Sequence, residues 1–189
     1  MTVDGLQVRR IFTFKVHEDH STEGRIVNDI AMVTLEDPLD FNNPNVQPIS
    51  SDLLKQTESN LPNTHCRTIG CSRYSLSNTT FASQIVDSQI VSDETCRNTF
   101  ENFGVSITPG MLCASKRCVT LRNNRLCTGD SGSPLVCSDA LGRSKMVGLV
   151  SFGMSNCSRN PVIVFTRIAY YQDWISTWNM EHVHAIFHE

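Results

Sequence analysis

Gly129-Asp130-Ser131-Gly132-Ser133-Pro134 narrows what this 189-residue chain can become more than any other stretch. A serine stands between two glycines, an aspartate comes directly before it, and a proline closes the run. Glycine lets the backbone turn tightly and lets a main-chain amide approach another group without steric cost. A serine hydroxyl is a poor nucleophile at neutral pH. It reacts only where a base takes its proton and oriented amides hold the oxyanion that forms. Runs of Gly, Ser and Asp also make ordinary turns, so the meaning of this one depends on the rest of the chain.

The composition excludes several classes. A chain with 40% hydrophobic and 19% charged residues suits one globular domain or two small subdomains. Its net charge of −3 gives no basis for a nucleic-acid or anionic-membrane partner. No apolar run is long enough to span a bilayer. Eight cysteines, an even number spread along the chain, fit an oxidising, extracellular compartment, although sequence alone allows 105 pairings. Met1-Thr2-Val3-Asp4-Gly5 has no charged n-region followed by an apolar core, so no signal peptide is read there. That conflict leads to the expectation that an N-terminal part is missing. Asn78-Thr79-Thr80 and Asn156-Cys157-Ser158 match the glycosylation sequon. The cysteine spacings lack the Cys-x-x-Cys pairs of zinc sites. His182, His184 and His188 lie in a terminal tail without structured partner ligands. Neither a metal nor a cofactor is expected.

The patterning is that of short strands. Phe12, Phe14 and Val16 alternate with Thr13 and Lys15, which reads as a half-buried strand. Ile30 to Leu35, Ser83 to Val91, Lys145 to Phe152 and Val162 to Ile168 are further strand-like runs. Ser92-Asp93-Glu94 reads as the start of a short helix. Tyr171, Trp174, Ile175 and Trp178 fall at helical spacing and read as a packing stripe. Many short strands between turns predict an all-β barrel or sandwich.

Asn28-Asp29-Ile30-Ala31-Met32-Val33 sets an acid at the head of an apolar run, and Ser131 follows Asp29 by 102 residues. In the serine-protease template the order is base, acid, serine, with the last two roughly 93 residues apart. Together with Val150-Ser151-Phe152-Gly153 and the segment around Trp174-Ile175, these patterns make the chain from about Val8 to Trp178 resemble the chymotrypsin/trypsin family of serine endopeptidases. The resemblance implies a chymotrypsin-like double antiparallel β-barrel with a C-terminal helix, the first barrel incomplete. Residues 1–50 are then the remnant of the first barrel, 51–62 a connector, 63–180 the second barrel plus helix, and 181–189 a tail. A half barrel leaves unpaired strand edges, a route to aggregation.

The resemblance also assigns roles. Ser131 is implied as the nucleophile and Asp29 as the acid that orients and charge-stabilises a histidine base. The amides of Gly129 and Ser131 are implied as the oxyanion hole. Ser151 would support the acid, and Ser151-Phe152-Gly153 would pair with an extended substrate. Asp130 would pair with the α-amino group freed on activation. Arg125, six residues before the nucleophile, would lie at the base of the primary pocket, with Ile163 near its wall. The family pattern implies the disulfides Cys66–Cys137, Cys96–Cys113 and Cys127–Cys157, which leaves Cys71 and Cys118 to pair with each other.

The base has no counterpart. In the template it precedes the acid by roughly 45 residues, whereas 28 residues precede Asp29 here. His17, His20 and His65 read as surface or structural histidines. Two functions stay open. One is a secreted serine endopeptidase, present as an N-terminally incomplete chain that is inactive as written. It would act on protein or peptide substrates and meet protein inhibitors. The other is a non-catalytic homologue that binds a protein partner.

Overall fold

In a computed structural model, the described residues are 6–23, 25–49, 65–70, 73–75, 78–81, 84–116, 130–138, 142–153 and 162–178. The connector at 51–62 and the tail at 181–189 lie outside them, as do Arg125, Gly129, Cys71, Cys118, Cys127 and Cys157.

Two strands from the first fifty residues, β1 (Ile11–Val16) and β2 (Ala31–Leu35), form an antiparallel pair. Next come β3 (His65–Gly70), the small pair β4 (Arg73–Ser75) and β5 (Asn78–Phe81), and β6 (Gln84–Ile90). Helix α1 (Asp93–Glu101) leads to β7 (Met111–Lys116), β8 (Pro134–Ser138), β9 (Ser144–Gly153) and β10 (Val162–Arg167). A 3-10 turn, Ile168–Tyr171, runs into a short C-terminal helix over 172–178. Six strands close into an antiparallel barrel in the order β10-β7-β6-β3-β8-β9. One closed barrel, a separate two-stranded sheet and a terminal helix are the expected architecture with an incomplete first half.

The barrel interior is filled by Val86, Ile90, Leu112, Leu135, Val150 and Phe165, among others. Its outer face under α1 is covered by Cys96, Phe100, Met111, Cys113, Val162 and Val164. Strands β7 and β10 therefore bury both faces: Leu112 and Phe165 point inward, Met111 and Val164 outward toward α1. A strand buried on both sides needs no alternation. Among the described residues two disulfides fasten this arrangement. Cys66–Cys137 joins directly opposed residues of β3 and β8, and Cys96–Cys113 ties α1 to β7.

Helix α1 starts where the sequence places it. Ser92 caps it by accepting a hydrogen bond from the Thr95 amide at 3.1 Å, and Asp93 and Glu94 face the positive end of the helix dipole. Asp93 also accepts from Arg167 Nη2 at 2.6 Å, which pins the helix start to the end of β10.

The first hairpin docks through the C-terminal segment. Ile30 is buried with Ile168 and Tyr171, and Trp174 and Ile175 pack alongside. His17 stacks on Trp174, with centroids 5.1 Å apart, and meets Tyr171 edge-on at 5.5 Å. Glu18 accepts from the Trp174 indole at 2.8 Å and pairs with Lys15 at 2.6 Å. The apolar alternation of β1 is present but its direction is reversed. Phe12, Phe14 and Val16 are exposed, whereas Thr13 and Lys15, on the opposite face, are the less exposed set. Among the described residues this apolar face stays largely exposed, so the half-buried strand expected from the sequence carries its apolar side outward.

Ser92→Ala should lower unfolding stability by about 1 kcal/mol, the usual effect of losing a serine cap, as read by urea denaturation. Hydrogen bonds from Lys15, its own amide and Trp174 bring the Glu18 carboxyl from 4.5 down to about 2. A lowered folded value means that this contribution is complete above pH 4.5 and disappears as pH falls through about 2. The Trp174 indole N–H resonance should therefore titrate near pH 2, and Lys15→Ala should move its midpoint upward, toward 4.5.

Candidate active site

The serine run folds as a tight turn. The Ser133 amide donates to the Asp130 carbonyl at 3.0 Å, and Gly132, at its third position, has φ of 82°. That is the left-handed backbone a type II turn requires, and it favours glycine. A Cβ at Gly132 would meet nothing within 4 Å, so the backbone angle, not crowding, calls for glycine. Ser131 is left exposed at the tip, and Asp130 beside it is 1% exposed. The turn is bolted to β9: the Gly132 amide donates to the Val150 carbonyl at 2.8 Å, and the Val150 amide donates to the Ser133 carbonyl at 2.9 Å.

Asp29 is anchored one residue further along β9. Its Oδ2 accepts from Ser151 Oγ at 2.5 Å, and its main-chain carbonyl accepts from Thr166 Oγ1, on β10, at 2.6 Å. The Ile30 amide reaches back to the Asn28 carbonyl at 2.9 Å, which makes Asp29 the tip of a three-residue turn. Asn28 holds a left-handed φ of 50°, which asparagine tolerates better than most residues. Both ends of its side chain are engaged: Oδ1 accepts from Tyr171 Oη at 2.9 Å, and Nδ2 donates to the Asp19 carbonyl at 2.8 Å. The Tyr171 hydroxyl is pushed up to about 12, first by burial, then by Tyr170 and by the Asp29 carboxylate. It remains a proton donor at any physiological pH.

Acid and serine, 102 residues apart in sequence, thus hang from two consecutive residues of one strand, Val150 and Ser151. Thr166, Asn28 and Tyr171 also position the acid, and sequence reasoning assigned them no such part. Tyr171 belonged to the apolar helical stripe, and nothing in that spacing reveals where a hydroxyl points.

The ladder between β8 and β9 ends at Leu149, whereas β10 continues to pair with β9 as far as Gly153. Beyond the Val150 bonds, residues 151–153 therefore keep one strand edge open among the described residues. Phe152 is partly buried edge-to-face against Phe100, with centroids 6.1 Å apart. Ile163 lies opposite Gly153 and joins the barrel interior at 7% exposure. Its Cγ1 is 3.6 Å from the position a Gly153 Cβ would take. The histidines are elsewhere. His17 is held by Trp174 and Tyr171, His20 Nδ1 lies 3.1 Å from the Val27 carbonyl, and His65 opens β3. None of the three hydrogen-bonds to Asp29 or Ser131 among the described residues. No group of acidic, histidine and cysteine side chains able to hold a metal occurs among them either.

A sequence model of the trypsin family matches residues 2–175. The chain belongs to the trypsin family. Trypsin zeta of Drosophila melanogaster is 35% identical over 164 residues, covering 85% of this chain and 55% of that protein. Transmembrane protease serine 11C of Mus musculus is 32% identical over 174 residues, covering 89% of this chain and 38% of the relative. Kallikrein-14 of Homo sapiens is 31% identical over 172 residues, covering 89% and 58%. This member of the trypsin family therefore spans between about two-fifths and three-fifths of the length of these relatives.

Thr166→Val removes one of the two bonds from the barrel to Asp29 and should lower unfolding stability by about 1 kcal/mol. Loss in Tyr171→Phe should be similar and should be accompanied by a changed Asn28 amide resonance. Urea denaturation and amide NMR check both.

Proposed function

We propose that these 189 residues supply the nucleophile and the acid of an extracellular serine endopeptidase. The observation that carries this reading is the attachment of both Asp29 and the Ser131 turn to Val150–Ser151. In the reaction, the Ser131 hydroxyl attacks the carbonyl of the scissile peptide bond. A histidine takes its proton and returns it to the leaving amine, and Asp29 stabilises the imidazolium between these steps. The amides of Gly129 and Ser131 receive the developing oxyanion. An extended substrate adds as a strand along the open edge of 151–153, so its main chain binds whatever its sequence. Asp130, buried beside the nucleophile, receives the α-amino group freed on activation. Protein or peptide substrates follow from the chemistry, and protein inhibitors would occupy the same edge.

The base does not come from the described histidines. Among the described residues no histidine takes the Ser131 proton, and on this reading the 189-residue polypeptide on its own does not hydrolyse peptide bonds. A fluorophosphonate probe should leave the 189-residue chain unlabelled. Labelling that disappears in Ser131→Ala would contradict this. The placement of His17, His20 and His65 away from Ser131 also favours a second reading, a non-catalytic homologue that binds a partner through the same edge. Joining a histidine-bearing N-terminal portion from a relative discriminates the two. Labelling gained by that chimaera supports the enzyme; a chimaera that folds and stays unlabelled supports the binding protein.

Two further outcomes are expected. With Arg125 at the base of the primary pocket, a basic substrate side chain would bring like charges within about 4 Å, at a cost of about 4 kcal/mol at an effective dielectric near 20. Cleavage after Lys or Arg should then fall by roughly three powers of ten relative to an acidic or small apolar residue. A peptide-library screen on the labelled chimaera reads this, and a preference for Lys or Arg would remove Arg125 from the pocket. Cys71 and Cys118 should appear linked in mass spectra of non-reduced peptides, and free thiols at both would exclude the pair.

A further inference from the structure

The small β4–β5 hairpin takes no part in the proposed chemistry, yet it carries the sequon Asn78-Thr79-Thr80. The middle position is not proline, and the third supplies the threonine hydroxyl by which such a sequon is recognised. Asn78 is the first residue of β5 and pairs with Ser75, the last of β4. Only Leu76 and Ser77 lie between them in sequence, so Asn78 stands at the turn end of the hairpin. Among the described residues neither strand pairs with the barrel. The run from Ser75 to Thr80 is polar apart from Leu76. An N-linked oligosaccharide is bulky and solvated. The turn end of a two-stranded sheet accommodates it without parting a barrel strand from its neighbours.

The strand register places this hairpin at one particular end of the barrel. Strands β3 and β8 are antiparallel, with Cys66 opposite Cys137 and Thr68 opposite Leu135. The last residue of β3, Gly70, is therefore at the barrel end where β8 begins, and β8 begins directly after the Ser131 turn. Gln84, the first residue of β6, pairs with Gly70 and lies at the same end. The chain that holds β4 and β5 thus leaves and re-enters the barrel at the end that carries the nucleophile. Residues 151–153 of β9 lie there too, beyond the Pro134–Leu149 pair. Asn78 precedes Gln84 closely enough in sequence that a fully extended chain between them spans at most about 22 Å. A group on Asn78 is tethered within that reach of the Ser131 end.

We propose that Asn78 is an N-glycosylation site and that its oligosaccharide stands at the Ser131 end of the barrel, where it hinders macromolecules more than small molecules. The inference rests on the extracellular reading and not on peptide hydrolysis. The co-reactant is a lipid diphosphate-linked oligosaccharide of the secretory pathway. The Asn78 side-chain nitrogen forms a bond to the anomeric carbon of the sugar, and the bond from that carbon to the phosphate oxygen breaks. The lipid diphosphate leaves with the electron pair, and the nitrogen gives up one proton. The tethered glycan then sweeps the space in front of the nucleophile turn and the open edge of 151–153. A small reagent passes it, whereas a folded substrate or inhibitor must displace it.

Secretion of the full 189-residue chain from eukaryotic cells, behind a cleavable leader, tests this. An Asn156→Gln background removes the other sequon. Peptide N-glycosidase should then increase the mobility of the secreted chain, and peptide mass spectra should place the glycan on Asn78. Asn78→Gln and Thr80→Val should each abolish the shift, and Thr80→Ser should keep it. Thr80→Val retains a β-branched strand residue, so loss of the glycan there reports the hydroxyl and not the strand. A chain secreted without a glycan, or a shift that survives Asn78→Gln, would overturn the site. Its placement is read with Ser131→Cys and, as a control, Ser144→Cys, two exposed positions at opposite ends of the barrel. Removing the glycan should speed the reaction of a polyethylene-glycol maleimide at position 131 several-fold. It should leave N-ethylmaleimide at 131, and both reagents at 144, unchanged. Equal rates at 131 with and without the glycan, or equal acceleration at both positions, would overturn the placement. None of these readouts uses peptide hydrolysis, so they stand apart from success or failure of the endopeptidase reading.

Discussion

Two short hydrogen bonds to Asp29 hold the first hairpin against the barrel, and the rest of the site depends on them. Ser151 Oγ reaches the carboxylate and Thr166 Oγ1 reaches the main-chain carbonyl, from adjacent strands of the closed barrel. A hydrogen bond to a charged group contributes about 1.5–3 kcal/mol, more than a neutral one. The chain can reach both donors only because Asn28 turns it through a left-handed conformation, and Tyr171 and the Asp19 carbonyl hold Asn28 there by its side chain. Apolar burial supports the same junction, through Ile30, Ile168 and the Trp174–His17 stack.

That junction gives the barrel a second function besides its own stability. Its interior is closed by apolar packing and by the Cys66–Cys137 bridge, so β9 is a rigid reference line. The Ser131 turn bonds to Val150, and Asp29 bonds to Ser151. Asp29 and the Ser131 turn, the acid and the nucleophile of the proposed reaction, are thus referred to neighbouring residues of one strand instead of to each other. A catalytic constellation needs this preorganisation. A partner bound along the open edge of 151–153 would sense both groups at once, whether or not it is cleaved.

Much of this was legible in the sequence, for physical reasons that differ by element. Gly132 signalled its turn because few residues tolerate its positive φ. Helix α1 was legible from Ser92, Asp93 and Glu94, whose polar chemistry is local to a helix start. Strands β3, β4, β5, β7 and β8 carry no legible strand pattern; among them β7 is buried on both faces and shows no alternation, and β8 is short and opens on Pro134. The alternation of β1 was visible, but which face points inward depends on what covers the sheet, and that is not a property of the strand. The roles of Thr166 and Tyr171 were invisible because they act across 137 and 143 residues of sequence.

Native-state hydrogen exchange on Ser151→Ala/Thr166→Val tests most directly whether the barrel holds the acid in place. The account predicts faster exchange for the amides of β1 and β2, with the interior strands β3, β6 and β8 as protected as in the unmodified chain. Unchanged exchange in β1 and β2, or equal acceleration throughout the barrel, would show that the hairpin does not depend on this junction.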